Sequence, residues 1–304
     1  MRKRGPAVVG RLIDHAAGRD AKIAPIDWAD RPEDIKDWVF LAPSGPLAAV
    51  RCGDISAPMV VLLPGLTGSK EDFALLMPLL AEQGYQSVSI DLAGQYESHG
   101  DGLFAPAVYD WDLFTNDVEA LLELTGPAHL LGLSFAGQVA ERVAVEMPDY
   151  VLSLTLLSAP PTHGNVFEKV KIGGPLAHVL NPRLLGRLLL PALKMNFNRA
   201  EKQRAAFVRK RVDYHDPKSV SDALALMYET PDLSRDLAAL PIPILLATGT
   251  HDLWPLTLHE ERAQQIGATT AFYRTGHSPC ETTPNQLTRD MVKMFEEAQD
   301  QSQD

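Results

Sequence analysis

The chain has 304 residues, of which 45% are hydrophobic and 22% are charged, and its formal net charge is −11 at pH 7. This composition excludes a fibrous or wholly disordered chain, and the length suffices for one large core with an insertion. Because an acidic surface repels phosphate backbones, we expect no nucleic-acid partner.

The cysteines and the amino-terminal residues indicate the cellular compartment of the protein. Cys52 and Cys280 stand far apart without metal-binding spacing, so we expect two free thiols in a reducing environment. The basic start, MRKR, precedes an apolar stretch too short for a secretory signal. No run of about 18 apolar residues could span a membrane. We therefore expect a cytoplasmic protein without a membrane partner.

The predicted elements begin with an N-terminal extension, residues 1–35. Val8, Val9, Leu12, Ile13 and Ala16 share one face of a short predicted helix. Strands Trp38–Leu41 and Leu47–Val50 then form a predicted hairpin around the turn 43–46.

Alternating strands and helices follow, and they complete the first part of the core, residues 36–160. The predicted strands are Met59–Leu63, Tyr85–Ile90, His129–Leu133 and Leu152–Leu157, and the predicted helices are Ser69 to about Gln83, Asp110–Leu124 and Phe135–Glu146. This alternation predicts an α/β fold with a mostly parallel central sheet and helices on both faces.

The alternation stops in residues 161–235, which we call the inserted segment. Its predicted helices are Leu184–Lys194, Glu201–Val212 and Val220–Glu229. Since such an insertion leaves the carboxyl end of the sheet, we expect a helical cap over the functional site. We interpret its basic residues as a solvated helix face, and attraction of an anionic substrate is the alternative. These basic residues are Arg199, Lys202, Arg204, Arg209, Lys210 and Arg211.

Strands and helices alternate again in the second part of the core, residues 236–304. Its predicted strands are Ile244–Ala247 and Thr270–Tyr273, and its predicted helices are Thr257–Gln265 and Asn285–Glu297. The final DQSQD is a polar tail that we expect to fray.

The strongest chemical signal is the sequence from Gly132 to Gly137, GLSFAG, where a buried strand passes directly into a helix. A sharp turn of this kind lifts Ser134 out of the sheet and exposes its hydroxyl. The pattern G-x-S-x-G has Ala136 at its second glycine, and alanine is small enough to fit. Serine needs a base, and the base needs an acid to hold its tautomer.

Two later strand ends supply these partners. Asp252 follows the strand Ile244–Ala247, and His277 follows the strand that ends near Tyr273. Catalytic groups in such a sheet come from the carboxyl ends of strands. The order Ser134, Asp252, His277 suits this chemistry, and we expect Ser134 and Asp252 within hydrogen-bond reach of opposite nitrogens of His277.

Besides GLSFAG, four motifs make residues 37–300 resemble the α/β-hydrolase superfamily, in its serine-nucleophile branch with a helical cap. Three are the loop from Leu63 (LPGL, with proline at the usual histidine), the turn from Asp91 (DLAGQYES, with Tyr96 at the second glycine) and the acid loop from Gly249 (GTHDLWP, with its proline one residue early). The fourth, Gly276-His277 followed by Glu281 and Pro284, resembles the histidine loop.

The resemblance implies roles for several residues. Ser134 would be the nucleophile, His277 the base and Asp252 the acid, and the backbone N–H groups of Leu66 and Phe135 would form the oxyanion hole. Asp91 as the acid and His251 as the base are the competing assignments. We interpret Cys280 as a spectator thiol.

The expected function is hydrolysis of a carboxylic ester or thioester of a small to medium acyl compound through an acyl-enzyme. No metal or organic cofactor is implied, and the partner is a small-molecule acyl substrate; the oligomeric state stays open. A lyase, acyltransferase or perhydrolase with the same triad, or a ligand-binding receptor with feeble turnover, is the alternative. Epoxide and haloalkane hydrolases resemble the chain less, because their nucleophile is an aspartate where this chain has Ser134.

Overall fold

A computed structural model describes residues 15–28, 31–99, 106–170 and 202–301. The strands are β1 Lys36–Ala42, β2 Gly45–Cys52, β3 Met59–Leu63, β4 Gln86–Ile90, β5 Ala128–Leu133, β6 Val151–Leu157, β7 Ile244–Gly249 and β8 Thr269–Tyr273. They form one sheet of eight strands in the order β1-β2-β4-β3-β5-β6-β7-β8. The β1–β2 hairpin and the β2–β4 pair are antiparallel, and all other pairs are parallel.

Helices cover both faces of this sheet. They are α1 Leu76–Glu82, α2 Trp111–Thr125, α3 Phe135–Glu146, α4 Lys202–Val212, α5 Pro217–Tyr228, α6 Ser234–Ala238, α7 Leu256–Ile266, α8 Pro279–Thr282 and α9 Pro284–Gln301. In β3, Val61 and Leu63 pack into the core on one face, and Val60 and Leu62 pack into the core on the other. Because both faces are buried, the strand is a continuous apolar run, and the predicted α/β fold is confirmed.

One predicted helix is wrong in its extent. The stretch from Ser69 to about Gln83 divides into a 3-10 turn, Lys70–Phe73, and the separate helix α1. Pro78 explains the division, since proline has no N–H and cannot sit inside a helix that began at Lys70. In α1 it falls within the first turn, where no intrahelical partner is needed.

The described part of the inserted segment contains α4, α5 and the start of α6, together with one β-bridge between Gly164 and Thr230. It contacts the loop after β4, where the Asp216 N–H donates to the Gly94 carbonyl at 2.9 Å. The predicted helix Leu184–Lys194 lies outside the described residues. The boundaries 161–235 and the division of the core into 36–160 and 236–304 stay predictions.

The interpretation of the basic residues as a solvated face is wrong for two of them. Lys202, Arg209 and Lys210 are exposed, but Arg204 and Arg211 are buried and ion-paired. The face of α4 that carries them packs against the core, and their carboxylate partners compensate the lost hydration. Arg199 lies outside the described residues.

The described part of the N-terminal extension is tied to the last helix. Residues 15–20 are helical, and Ala16 is buried. Asp20 accepts hydrogen bonds at 2.8 Å from the Asn285 N–H and at 3.2 Å from the Gln286 N–H. These are N–H groups of the first turn of α9, so the carboxylate satisfies donors that the helix itself leaves unpaired. The predicted helix face at Val8 to Ile13 lies outside the described residues, and the extent 1–35 stays a prediction.

Cys52 and Cys280 are free, as predicted, and the structure shows that both are buried. None of the helices in the described part of the chain is both long enough and apolar enough to cross a membrane.

A buried histidine generates a prediction about acid stability. His129 stacks on Phe295 with ring centroids 3.8 Å apart, and its Nδ1 lies 2.8 Å from the Ser153 hydroxyl. Burial lowers the pKa of His129 from its ordinary 6.5 to about 4. The unfolded chain therefore takes up a proton at this residue below about pH 6.5, whereas the folded chain does so only near pH 4, and stability falls across that window.

The double variant His129→Phe with Ser153→Ala should lose about 2 kcal/mol less stability between pH 7 and pH 5 than the wild type. Urea denaturation at the two pH values measures this difference. The exposed His251, replaced in His251→Asn, is the control and should behave as the wild type. An equal loss in all three proteins would contradict the prediction.

Candidate active site

Ser134 occupies a strained turn between β5 and α3. Its backbone lies at φ 53° and ψ −121°, and its N–H donates to the Leu157 carbonyl at the end of β6, 2.9 Å away. A residue other than glycine adopts a positive φ only when its surroundings impose it. The turn leaves Ser134 partly exposed, whereas Leu133 and Phe135 on either side are buried.

The tight turn requires glycine at position 132. A Cβ atom there would lie 2.3 Å from the carbonyl oxygen of Ala136, which is backbone and cannot move aside. Ala136 itself is fully buried, so its methyl group fits where the usual motif has glycine. The departure from G-x-S-x-G therefore leaves the geometry of the turn intact.

The loop after β3 lies against Ser134. A Cβ atom at Gly65 would stand 3.1 Å from Cβ of Ser134, so the main chain of this loop passes directly beside the serine. The Gly68 N–H donates to the Gly65 carbonyl at 2.8 Å and closes the loop into a turn. Leu66 lies within this turn and is half-buried, and Phe135 begins α3.

His277 and Asp252 are hydrogen-bonded to each other. His277 Nδ1 lies 2.5 Å from Oδ1 of Asp252, whose carboxylate is buried. The second oxygen, Oδ2, accepts from the Thr248 hydroxyl at 2.9 Å and lies 3.5 Å from His259 Nε2. Burial acts to raise the pKa of Asp252, but the contacts with His259 and His277 outweigh it and hold the pKa below its ordinary value. Asp252 is therefore ionised at neutral pH.

The sheet order brings these groups to one edge. Ser134 follows β5, Asp252 follows β7 and His277 follows β8, and these parallel strands end on the same side of the sheet. The two later loops are bonded to each other, since the His251 N–H donates to the Thr275 carbonyl at 2.9 Å. Among the described residues no hydrogen bond joins the Ser134 hydroxyl to His277, unlike the expected geometry. In a site without substrate this contact is often long.

The side chains of the competing residues, Asp91 and His251, make other contacts. Asp91 accepts from Lys70 through both the backbone N–H, at 2.7 Å, and the ammonium group, at 3.0 Å. His251 is exposed and its Nδ1 lies 3.1 Å from the Thr250 hydroxyl. Cys280 is fully buried, and burial raises the pKa of its thiol well above the ordinary value, as suits a spectator.

Tyr96 shows why the family motif has glycine at its position. Its φ is 42°, a left-handed conformation that disfavours side chains. The ring packs edge-on against Phe207 of α4, with centroids 5.8 Å apart, and against Tyr214 at 6.0 Å. Tyr96 therefore combines a strained backbone with ring contacts to the inserted segment.

Three residues of the site escaped the sequence analysis. Thr248 and His259 contact Asp252, and Asp72 lies under the loop after β3. Thr248 directly follows the predicted strand Ile244–Ala247, and this position at a strand end was the signal that could have identified it. His259 and Asp72 fall within predicted helices, where nothing in the sequence distinguishes them from other polar residues.

The fold and this edge of the sheet agree with a known family. A sequence profile described as the alpha/beta hydrolase family matches residues 60–290. The chain belongs to the alpha/beta hydrolase family, and membership supports hydrolase activity on a small molecule.

Two relatives match part of the chain. It is 30% identical over 112 residues to the sn-1-specific diacylglycerol lipase ABHD11 of Mus musculus, which is 36% of this chain and 35% of the lipase. It is 34% identical over 119 residues to a fluoroacetate dehalogenase of Burkholderia sp., which is 38% of each chain. The chain spans little more than a third of the length of these relatives.

Solved structures share the fold over most of the chain. A putative lipase from Acinetobacter baumannii has a TM-score of 0.71 at 18% identity and covers 95% of this chain and 96% of its own. One of the carboxylesterases of Nitrososphaera gargenis has a TM-score of 0.70 at 17% identity and covers 86% and 99%. At these identities the likeness establishes the fold alone.

Across residues 15–28, 31–99, 106–170 and 202–301, no group of three or more His, Cys, Asp or Glu side chains is arranged to hold a metal ion.

The close contact of the acid and histidine loops generates a prediction. A Cβ atom at Gly249 would lie 2.0 Å from the Gly276 carbonyl oxygen, whereas a Cβ atom at Gly276 has open space. Gly249→Ala should displace His277 and lower kcat on the order of 100-fold, since a shift of about 1 Å is sufficient for such a loss. Gly276→Ala should keep most of the activity. Ester-hydrolysis kinetics of the two purified variants provide the measurement, and equal activities would contradict the prediction.

Proposed function

We propose that the protein is a serine hydrolase that cleaves a carboxylic ester or thioester of a small to medium acyl compound. One observation carries the proposal: a serine on a left-handed strand-to-helix turn shares a sheet edge with a hydrogen-bonded histidine–aspartate pair. Ser134 is the nucleophile, His277 the base and Asp252 the acid. The N–H groups of Leu66 and Phe135 form the oxyanion hole.

The proposed reaction has two stages. His277 Nε2 takes the proton of the Ser134 hydroxyl as its oxygen attacks the carbonyl carbon, and Asp252 fixes the tautomer by accepting from Nδ1. The carbonyl oxygen becomes an oxyanion that the Leu66 and Phe135 N–H groups stabilise. The leaving group departs with the proton from His277, and an acyl-enzyme remains. Water, deprotonated by His277, then releases the acid and restores Ser134.

The buried, ionised Asp252 supports this scheme energetically. Its carboxylate is held by Thr248 and His259 as well as by His277, so its orientation does not depend on the histidine alone. A fixed carboxylate stabilises the imidazolium that forms when His277 accepts the proton. The scheme requires neither a metal nor an organic cofactor. We also propose a reducing, cytoplasmic setting, which the two free cysteines support.

Hydrolytic dehalogenation is a second candidate, favoured by the similarity to a fluoroacetate dehalogenase. The chemistry of Ser134 disfavours it. A carboxylate that displaces halide from an alkyl carbon forms an ester, which water can cleave. A serine would form an ether, which has no carbonyl to attack and could not turn over. Ester cleavage is also what the name of the diacylglycerol lipase describes for that relative.

A labelling experiment tests the nucleophile. Only an activated serine reacts rapidly with a fluorophosphonate, so the wild type should be labelled and Ser134→Ala should not. The variant should also lose at least about 10⁴-fold in kcat on acyl esters. Ser56→Ala, which alters an exposed loop serine, is the control and should match the wild type. Equal labelling of wild type and Ser134→Ala would reject the assignment.

A substrate panel then separates the candidates. Matched oxygen esters and thioesters of increasing acyl length should give turnover that peaks at short or medium chains. Fluoroacetate should release no fluoride. If the protein releases fluoride from fluoroacetate and does not hydrolyse the esters, dehalogenation is favoured instead.

A further inference from the structure

A buried carboxylate lies beneath the proposed oxyanion loop. Asp72 is 3% exposed, and its Oδ2 accepts from the Ser69 N–H at 3.3 Å. Its Oδ1 accepts from Arg204 at 2.6 Å and from Arg211 at 2.5 Å. Arg211 also donates to the Ser69 hydroxyl at 3.0 Å. Both arginines belong to α4, so this helix of the inserted segment is bonded to the chain that leaves the oxyanion loop.

Arg204 reaches a second active-site loop. The nitrogen Nη2 that donates to Asp72 also donates to Glu281 Oε1 at 2.5 Å. Glu281 lies in α8, which begins two residues after His277, and its N–H is bonded to the Ser278 carbonyl at 3.1 Å. One guanidinium group therefore connects the loop after β3 with the loop that carries His277. We call Asp72, Arg204 and Glu281 the ionic bridge.

The ionic bridge is buried and packs against an aromatic ring. Arg204 lies over the ring of Trp28, 4.4 Å from its centroid, and is itself buried. Burial acts to raise the pKa of Asp72, but Arg211 and Arg204 outweigh it and keep the pKa below the ordinary value. The ionic bridge and Arg211 together contain two cations and two anions, so the charges balance. Removal of a single partner would leave an uncompensated buried charge and would strongly destabilise the fold.

We propose that Arg204 is a positioning residue, which holds the loop with the Leu66 N–H at a fixed distance from the loop with His277. The inference rests on the proposed function, which assigns the Leu66 N–H to the oxyanion hole and makes His277 the base. Attack by Ser134 requires both groups around the same carbonyl. If the loops separate, the oxyanion donor and the base no longer act together on one transition state.

The test removes the ionic bridge without unbalancing the charge. Arg204→Met with Glu281→Gln deletes one cation and one anion and leaves Asp72 paired with Arg211. Because the double change leaves no uncompensated buried charge, it should lower Tm less than either single change does. We expect kcat and the rate of fluorophosphonate labelling to fall about 10- to 100-fold, with KM changed by less than about 2-fold.

The matched control is Lys293→Met with Glu297→Gln. It removes the same kinds of charge from an exposed ion pair on α9, where the two side chains lie 3.9 Å apart. This variant should keep the wild-type kcat. Arg204→Lys serves as the conservative variant: a lysine retains the charge but lacks the planar fork, and it should give an intermediate kcat.

The outcomes separate the two proposals. If the wild type itself is not labelled, the proposed function fails. If the wild type and the bridge variant are labelled at the same rate, only the positioning role fails. A rise in KM at unchanged kcat also overturns it, as does an activity loss that matches the unfolded fraction. Should the double variant not fold, an unchanged kcat in Arg204→Lys overturns the proposal.

Discussion

The left-handed backbone at Ser134 is the constraint on which the rest of the site depends. A residue with φ 53° is strained, and contacts with three neighbouring segments hold it in place. The Ala136 carbonyl fills the space beside position 132, β6 accepts the Ser134 N–H, and the loop after β3 passes within van der Waals distance of its Cβ. The central position of β5 in the sheet makes these contacts possible, because strands on both sides contribute their ends.

Two buried aspartates at strand ends show how environment separates roles. Asp91 follows β4 and is bonded to Lys70, which contacts it through both main chain and side chain. Asp252 follows β7 and is hydrogen-bonded to the neutral Thr248 hydroxyl and to His277. The charge of an aspartate that is paired with a lysine is already compensated. Such a carboxylate gives little electrostatic stabilisation to a protonated imidazole nearby. In the proposed mechanism, the negative charge of Asp252 stabilises the proton that arrives on His277.

The sequence predicted the parts of the structure that local patterns encode. Met59–Leu63 and Phe135–Glu146 have the predicted bounds to the residue, because an apolar run and a serine-to-helix junction are local signals. Pro78 was a visible helix breaker within the predicted helix from Ser69 to about Gln83. The burial of Arg204 could not be predicted in this way. Its partner Asp72 lies 132 positions away, and only the folded chain brings a basic helix face onto a carboxylate.

Tyr96 has a consequence for how members of this family could exchange parts. It takes the left-handed conformation that glycine adopts without strain, and its ring packs against Phe207 and Tyr214. The core turn thus carries a contact surface for one particular inserted segment. In a chimera that received residues 161–235 from a relative, Tyr96 would lose its contacts with Phe207 and Tyr214. Those contacts would then no longer offset the strain of its backbone. A functional exchange should therefore transfer residue 96 together with the inserted segment, although 111 positions separate Tyr96 from Phe207.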